Sequence, residues 1–397
     1  MRCQICGFED PHSLVEHIQQ EHGMSVSAYL NEHKGASVVS QKVLSTFKDQ
    51  HKVPKRTAEN LLSPEIKIAG VPFKVHTNVP PEACLPLPDH YKVPMYGDLG
   101  EDVYHAAISI KKCRSTYIYG LQGSGKDSFV HAVSALTRQP AIIRAIQPGR
   151  DIQSWFYSRS FSEKGTYWEE GPLLTALKDG YTAEDGEVIP YIVLISDLDR
   201  ATKEQAEHMR LILDSIQGRV ETPTGVHSIL PGTLILATGN SCGAGDERGR
   251  AISANPMDSS IIDRFDAVLE FHWMSWKDEV AILKNKFPFV FEKFSKQMES
   301  LEDVTGKLRK AILDDEIYCE FSHRALCHIL QRVCDMAEFE AATPKCFTKA
   351  LTIWLASLPD RQTKESAKAY FDPLFKTIKS GDSSNFTKED LADGWLS

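Results

Sequence analysis

Between about Tyr91 and Trp276 the chain alternates short apolar runs with longer helical patterns. "STYIYG" (115–120), "YIVLIS" (191–196) and "GTLILATGN" (232–240) are continuous apolar runs of strand length, and each leads into a glycine-rich or acidic loop. Strands apolar on both faces, alternating with helices, predict an α/β fold: a parallel sheet between helical layers, with ligand groups at the strands' C-terminal ends. From about Lys277 onward the pattern is helical. Leu326, Ile329, Leu330, Val333 and Met336 recur at the spacing of one helix face. Prolines in "NVPPEACLPLPDH" (78–90) cannot continue a helix, so residues 34–90 read as a linker with room for one short helix. The expected organisation is a small unit at 1–33, the linker at 34–90, an α/β domain at 91–276, a helical domain at 277–379 and a polar tail at 380–397.

Composition changes little in this picture. The 397 residues are 42% hydrophobic and 25% charged, as in soluble domains, with a net charge of -9. That balance supplies no global positive field for nucleic acid or an acidic membrane. No apolar run reaches the roughly 18 residues of a membrane span, and "MRCQICGFED" lacks the apolar core of a signal peptide. Nine cysteines, mostly scattered, then read as reduced thiols in the cytoplasm.

The clearest chemistry lies in "YGLQGSGKDSF" (119–129). Gly120 to Lys126 follows the phosphate-loop spacing G-x-x-x-x-G-K, between a strand pattern and a helix pattern, as that loop requires. Gly120, Gly123, Ser124 and Gly125 let backbone N–H groups wrap phosphates, and Lys126 reaches them at a helix N-terminus. The next position normally holds a Ser or Thr hydroxyl on Mg²⁺; here it is Asp127. A carboxylate repels a triphosphate unless a cation lies between them. Ser128 is a second hydroxyl at the site, equally suited to the helix N-terminus.

A second centre is at the start of the chain. Cys3, Cys6, His17 and His22 have zinc-finger spacing, C-x2-C-x10-H-x4-H. Two thiolates and two imidazoles suit tetrahedral Zn²⁺, and a unit this small needs the metal to fold. Residues 1–33 carry one basic residue, Arg2, against five acidic ones. Such a finger is poorly made for phosphate backbones and better suited to protein docking.

Taken together, the motifs resemble AAA+ ATPases of the MoxR branch, and most of all the CobS-like ATPase subunit of cobaltochelatase. The family's "GPL" element is matched by "EEGPLLTAL" (169–177) and its acidic strand "DEINRA" or "DEYDA" by "SDLDRA" (196–201). Its "FATANTIGLGDTTG" is matched by "LATGNSCGAGDERG" (236–249), its "DRF" box by Asp263-Arg264-Phe265, and its "SPRA" box by "SHRA" (322–325). The resemblance spans about residues 90–335 and the finger. It implies a three-layer AAA+ core with a helical lid, ATP and Mg²⁺ as cofactors, and a ring, hexameric by analogy. It also implies a protein client, of which one bearing a von Willebrand A domain is the family's type. By position, Asn240 matches the family's first sensor, Arg264 its arginine finger acting on the neighbouring subunit, and Arg324 the second sensor in the lid.

The acidic strand aligns in two registers. In one, Asp197 faces Mg²⁺ and Leu198 falls where the catalytic Glu belongs, so hydrolysis is lost. In the other, Asp197 takes the place of that Glu and Ser196 that of the Mg-facing Asp; this register keeps Arg200-Ala201 in step. The second implies an exchange: a loop carboxylate, Asp127, and a strand hydroxyl, Ser196, hold Mg²⁺ where the family uses a loop hydroxyl and a strand carboxylate. The expected activity is Mg-ATP hydrolysis driving remodelling of a partner protein. The rival is a nucleotide-gated assembly protein with little turnover, docking through its finger. A DNA motor fits the acidic balance poorly.

Overall fold

The computed structural model describes residues 2–6, 8–9, 15–22, 33, 64–89, 91, 101–147, 149–163, 165–243, 255–339 and 342–381. The linker stretch 34–63, the segment 244–254 and residues 382–397 of the expected tail lie outside them. The chain divides into two units, residues 1–63 and 64–397.

In the first unit, Arg2 and Glu9 face each other in a single antiparallel bridge, and the Cys3 N–H donates to the Phe8 carbonyl at 2.7 Å. Helix α1 (Val15–His22) follows, with Ile18 fully buried.

The second unit opens with an antiparallel hairpin, β1 (Glu65–Ile68) and β2 (Val71–Lys74), inside the stretch 34–90 read as a linker. In β2 the sequence V-P-F-K alternates buried, exposed, buried, exposed, and Pro72 is tolerated because both strands of a two-stranded ribbon are edge strands. Val71, Phe73 and Leu85 are buried together with Ala106 and Ile110 of α2 (Glu101–Lys111). Part of the stretch read as a linker is therefore packed against the α/β core.

Five strands form the central sheet: β3 (Thr116–Tyr119), β4 (Ala141–Ala145), β9 (Ile192–Ser196), β12 (Leu234–Gly239) and β13 (Ala267–Glu270). Their order is β13-β3-β12-β9-β4, and every pair is parallel. The strand patterns predicted this: β9 and β12 are buried at every residue, as a sheet covered on both faces requires. Helix α3 (Lys126–Thr137) buries Phe129, Val130 and Val133 against one face, and α5 (Lys203–Ile216) buries Met209 and Ile212 against the other. A capping box of Thr202 and Gln205 starts α5. Between these two helices runs the short helix α4 (Pro172–Asp179).

Three small antiparallel hairpins interrupt the alternation: β5 (Tyr157–Ser162) with β6 (Gly165–Glu170), β7 (Tyr181–Thr182) with β8 (Val188–Ile189), and β10 (Arg219–Thr222) with β11 (Gly225–Ser228). Sequence pattern did not predict them, because most of their residues are exposed and they carry no apolar run.

After the short helix α6 (Ser259–Ile262) and strand β13 the chain becomes helical, as expected. Helices α7 (Trp276–Lys286), α8 (Pro288–Lys293), α9 (Ser295–Leu313), α10 (His323–Phe339), α11 (Lys345–Ala356) and α12 (Arg361–Gly381) form a separate core. Phe321, Trp354 and Phe371 meet edge to face at its centre, with centroids 4.9 to 5.7 Å apart. The last helix runs two residues into the stretch expected to be tail. No helix of the described residues is long and apolar enough to cross a membrane.

Candidate active site and metal centre

The parallel sheet delivers the candidate residues to one edge. Strand β3 ends at Tyr119, in register with Gly239 of β12, and β12 pairs in turn with β9. The phosphate loop, Asn240 and the Ser196-Asp197 pair therefore leave adjacent strand ends. Gly120 has φ 146° and sits so close to the Phe271 carbonyl that a Cβ would collide with it. Gly123, at φ 70°, meets the Ser322 side chain in the same way. The loop is thereby wedged between the end of β13 and the entry to α10, in conformations that favour glycine. Gly125 precedes α3 in the left-handed region and offers no side-chain cap, leaving the first N–H groups of the helix open to an anion.

Lys126 is buried, and its Nζ donates to the carbonyls of Gly120 (2.7 Å) and Leu121 (3.1 Å) and to Asn240 Oδ1 (3.4 Å). Burial lowers its pKa, opposed by the carboxylates of Asp127, Asp199, Asp197 and Glu320. The Ser196 hydroxyl lies 3.4 Å from Asp127 Oδ2. That is long for a hydrogen bond between oxygens. It is close to the spacing of neighbouring Mg²⁺ ligands, about 3 Å for metal–oxygen distances of about 2.1 Å. One carboxylate oxygen and one hydroxyl, both hard donors, thus fit a magnesium ion.

Asp197 follows β9 directly in a left-handed conformation, φ 56° and ψ 45°, which an Asp tolerates better than most residues. The turn aims its carboxylate into a cavity of 670 Å³, where it lies 3.2 Å from Arg200. Gly123, Gly125, Lys126, Asp127, Ser128 and Asn240 line the same cavity, as does Arg324 from α10. Gly120, Ser124 and Ser196 are not among its lining residues. The Ser124 hydroxyl is buried and has no partner among the described residues. Arg264 is not part of the cavity. It stands half-exposed on the surface, 3.4 Å from Asp214.

Sequence reading missed several groups here. Tyr91, Met274 and Ile282 give the cavity a less polar side, and Arg200, Lys286 and His323 add positive charge. Arg200 lies inside "SDLDRA" and His323 inside "SHRA", where the family pattern has proline; the others lie in no recognisable motif. His323 is held firmly: Nδ1 is 2.9 Å from Glu279 Oε1, and Nε2 is 3.3 Å from Cys327 Sγ. Glu279 is fully buried and accepts two bonds from Arg309, at 2.7 and 3.0 Å. Although burial opposes charge on each, the hydrogen bonds to Cys327 and Glu279 raise the His323 pKa to about 9, and those from His323 and Arg309 lower that of Glu279.

In the first unit Cys3, Cys6, His17 and His22 do converge: their ligand atoms all lie within 4.8 Å of one another. Cys3 Sγ is 3.4 Å from His22 Nε2, and Cys6 Sγ is 3.1 Å from His17 Nε2. Tetrahedral zinc, with bonds of about 2.0–2.3 Å, spaces its ligands by about 3.3–3.8 Å. The cluster fits such an ion in donor type and number. Phe8 stacks on His17 at 4.3 Å and covers one side.

A phosphate loop between β3 and α3, an acidic strand end beside it, a polar residue at the end of the next strand and residues of the helical part lining the cavity make a P-loop α/β core. Residues 115–265 match the family model of the AAA domain, dynein-related subfamily. No curated protein matches the chain. Among solved structures, the chain is similar to a candidate ATPase from Cytophaga hutchinsonii ATCC 33406, with 13% identity over 68% of this chain and 90% of that one, at a TM-score of 0.31. A point mutant of RuvB from Thermotoga maritima is similar at 13% identity, over 71% of this chain and 82% of that one, at a TM-score of 0.42. Likenesses this loose say nothing of activity or assembly.

The lid contact has a pH signature. With the His323 pKa raised from 6.5 to about 9 on folding, protonation favours the folded lid. The contribution is complete below about 6.5 and is lost as pH rises through about 9. The midpoint of denaturant unfolding should fall across that window in wild type, and His323→Gln should flatten the fall.

Proposed function

We propose that the chain is an AAA+ ATPase of MoxR/CobS-like type, binding and hydrolysing Mg-ATP at the subunit interfaces of a ring to remodel a partner protein. The observation that carries the reading is the approach of Ser196 to Asp127, 3.4 Å apart, with Asp127 lining the cavity. It favours the register in which these two residues have exchanged the metal-facing roles and Asp197 holds the position of the water-orienting acid. Magnesium, when bound, supplies the positive charge that offsets Asp127 against the phosphates.

The chain's own groups then have distinct tasks. Open N–H groups of the loop and of α3 receive phosphate oxygens, and Lys126 exchanges its carbonyl partners for them. Asp197, one methylene shorter than glutamate, orients water as a general base. Asn240, beside Lys126, faces the terminal phosphate. Arg324 closes on the nucleotide from the lid. Arg264, exposed and outside the cavity, suits an arginine finger delivered to a neighbouring subunit's nucleotide, and such a group is worth about 10³-fold or more in rate. Reaching that partner requires release from Asp214. The Cys3, Cys6, His17 and His22 cluster, holding Zn²⁺, serves as a docking module for protein. By resemblance the client carries a von Willebrand A domain.

One observation favours the rival, a nucleotide-gated switch with slow turnover. Asp197 is tied to Arg200 at 3.2 Å, and a base so paired is less available to water. Steady-state ATP hydrolysis separates the two. The proposal expects Mg²⁺-dependent turnover, lost at least tenfold in both Lys126→Ala and Arg264→Ala, with ATP binding kept in Arg264→Ala. ATP bound but not turned over above the level of the variants would favour the switch. For the finger, native mass spectrometry should find one zinc ion per chain, absent from Cys3→Ser. A metal-free wild-type protein whose first unit is still folded would refute the zinc assignment.

A further inference from the structure

The acid loop holds a second carboxylate, used differently from the first. Asp197 faces the cavity; Asp199, two residues on, turns the other way within a 3-10 turn (Leu198–Arg200) and is fully buried. Its Oδ2 accepts three bonds from one short segment: the N–H of Asn240 at 2.7 Å, the N–H of Ser241 at 3.0 Å and the Ser241 hydroxyl at 3.4 Å. Its Oδ1 has no partner among the described residues. A buried carboxylate is costly, and burial raises its pKa against the two backbone bonds that lower it. A fold that needed only packing here would gain more from an apolar side chain.

The surroundings are built around this acid. Gly239, the last residue of β12, lies so close that a Cβ would stand 3.1 Å from Asp199 Cγ and collide with the Tyr117 hydroxyl. That hydroxyl donates to the Ser241 carbonyl at 2.6 Å, so the segment after β12 is held on both its N–H and its carbonyl sides. The same turn also holds the chain that leads to Arg264. The Asn255 N–H donates to the Asp199 carbonyl at 2.7 Å, and Asn255 Nδ2 to the carbonyls of Arg200 (3.3 Å) and Ala201 (3.0 Å).

We propose that Asp199 is a positioning residue for the reaction: it fixes Asn240 relative to Asp197, so that water-orienting acid and phosphate-facing amide move as one body. It touches no substrate. Asp197 and Asp199 share one rigid turn, and three hydrogen bonds carry its position to the segment of Asn240. The inference rests on the ATPase reading for its effect on rate, but not for the contact itself.

The test compares wild type, Asp199→Ala and Asp199→Asn by two readouts. Amide hydrogen exchange reports the contact. Asp199→Ala should speed exchange at Asn240 and Ser241 at least tenfold while leaving the amides of β9 unchanged. Asp199→Asn keeps an acceptor oxygen and should stay near wild type. ATP turnover reports the consequence: Asp199→Ala should lose at least tenfold in kcat with KM within about threefold of wild type, and Asp199→Asn should restore most of kcat. Should Asp199→Ala not fold, Asp199→Leu keeps the volume without the acceptor and carries the same expectations. Unchanged exchange at Asn240 and Ser241 would overturn the proposal. So would faster exchange with unchanged kcat, or a loss confined to KM. A wild-type protein without turnover would defeat the ATPase reading instead, and the exchange comparison would still decide whether Asp199 holds Asn240.

Discussion

Two oxygens 3.4 Å apart, the Ser196 hydroxyl and an Asp127 carboxylate, set the terms for the candidate site. One comes from the first turn of the helix after the phosphate loop, the other from the last residue of the acidic strand. Because the sheet is parallel, both elements present their functional ends on the same edge. A carboxylate in the loop is electrostatically wrong for a triphosphate on its own, and a serine at the strand end is too weak a ligand on its own. Side by side they offer one hard anionic oxygen and one hydroxyl, the two donors on which the proposed magnesium site rests.

The rest of the cavity is arranged around that edge by buried polar contacts rather than by loops alone. On one side Asp199 and Tyr117 clamp the segment of Asn240. On the other, Ser322 packs on Gly123, and the Arg309–Glu279–His323 chain anchors the first turn of the lid helix that carries Arg324. Buried ion pairs of this kind add little net stability, but they are costly to break singly. They are suited to holding a helix end in one orientation next to a charged ligand.

Much of this was legible from residue order. Apolar runs in β3, β9 and β12 predicted the parallel sheet because a sheet covered on both faces needs them. The loop glycines fell where positive φ and close approach demand them, and Cys3, Cys6, His17 and His22 converge as their spacing predicted. What was not legible depended on surroundings that a pattern does not encode. The β1–β2 hairpin escapes a pattern reading because its strands are only four residues long and one of them contains Pro72. The three small hairpins leave no periodic trace because they are mostly exposed. Glu279, Arg309 and His323 lie 30 and 14 residues apart in sequence, and nothing in their neighbourhoods marks them as partners. Asp199 lies in the same acidic motif as Asp197, and only the folded structure shows its burial and its bonds to Asn240 and Ser241.

The proposed exchange of metal-facing roles is tested most directly by exchanging the residues back. Mg²⁺-dependent ATP binding would be measured by calorimetry for wild type, Asp127→Ser, Ser196→Asp and the double variant. Asp127→Ser leaves two hydroxyls and no anion, and Ser196→Asp crowds two carboxylates together. Each single variant should lose at least tenfold in Mg²⁺-dependent affinity, and the double variant should recover most of it. Single variants that bind as well as wild type, or a double variant no better than the worse single, would contradict a shared metal site.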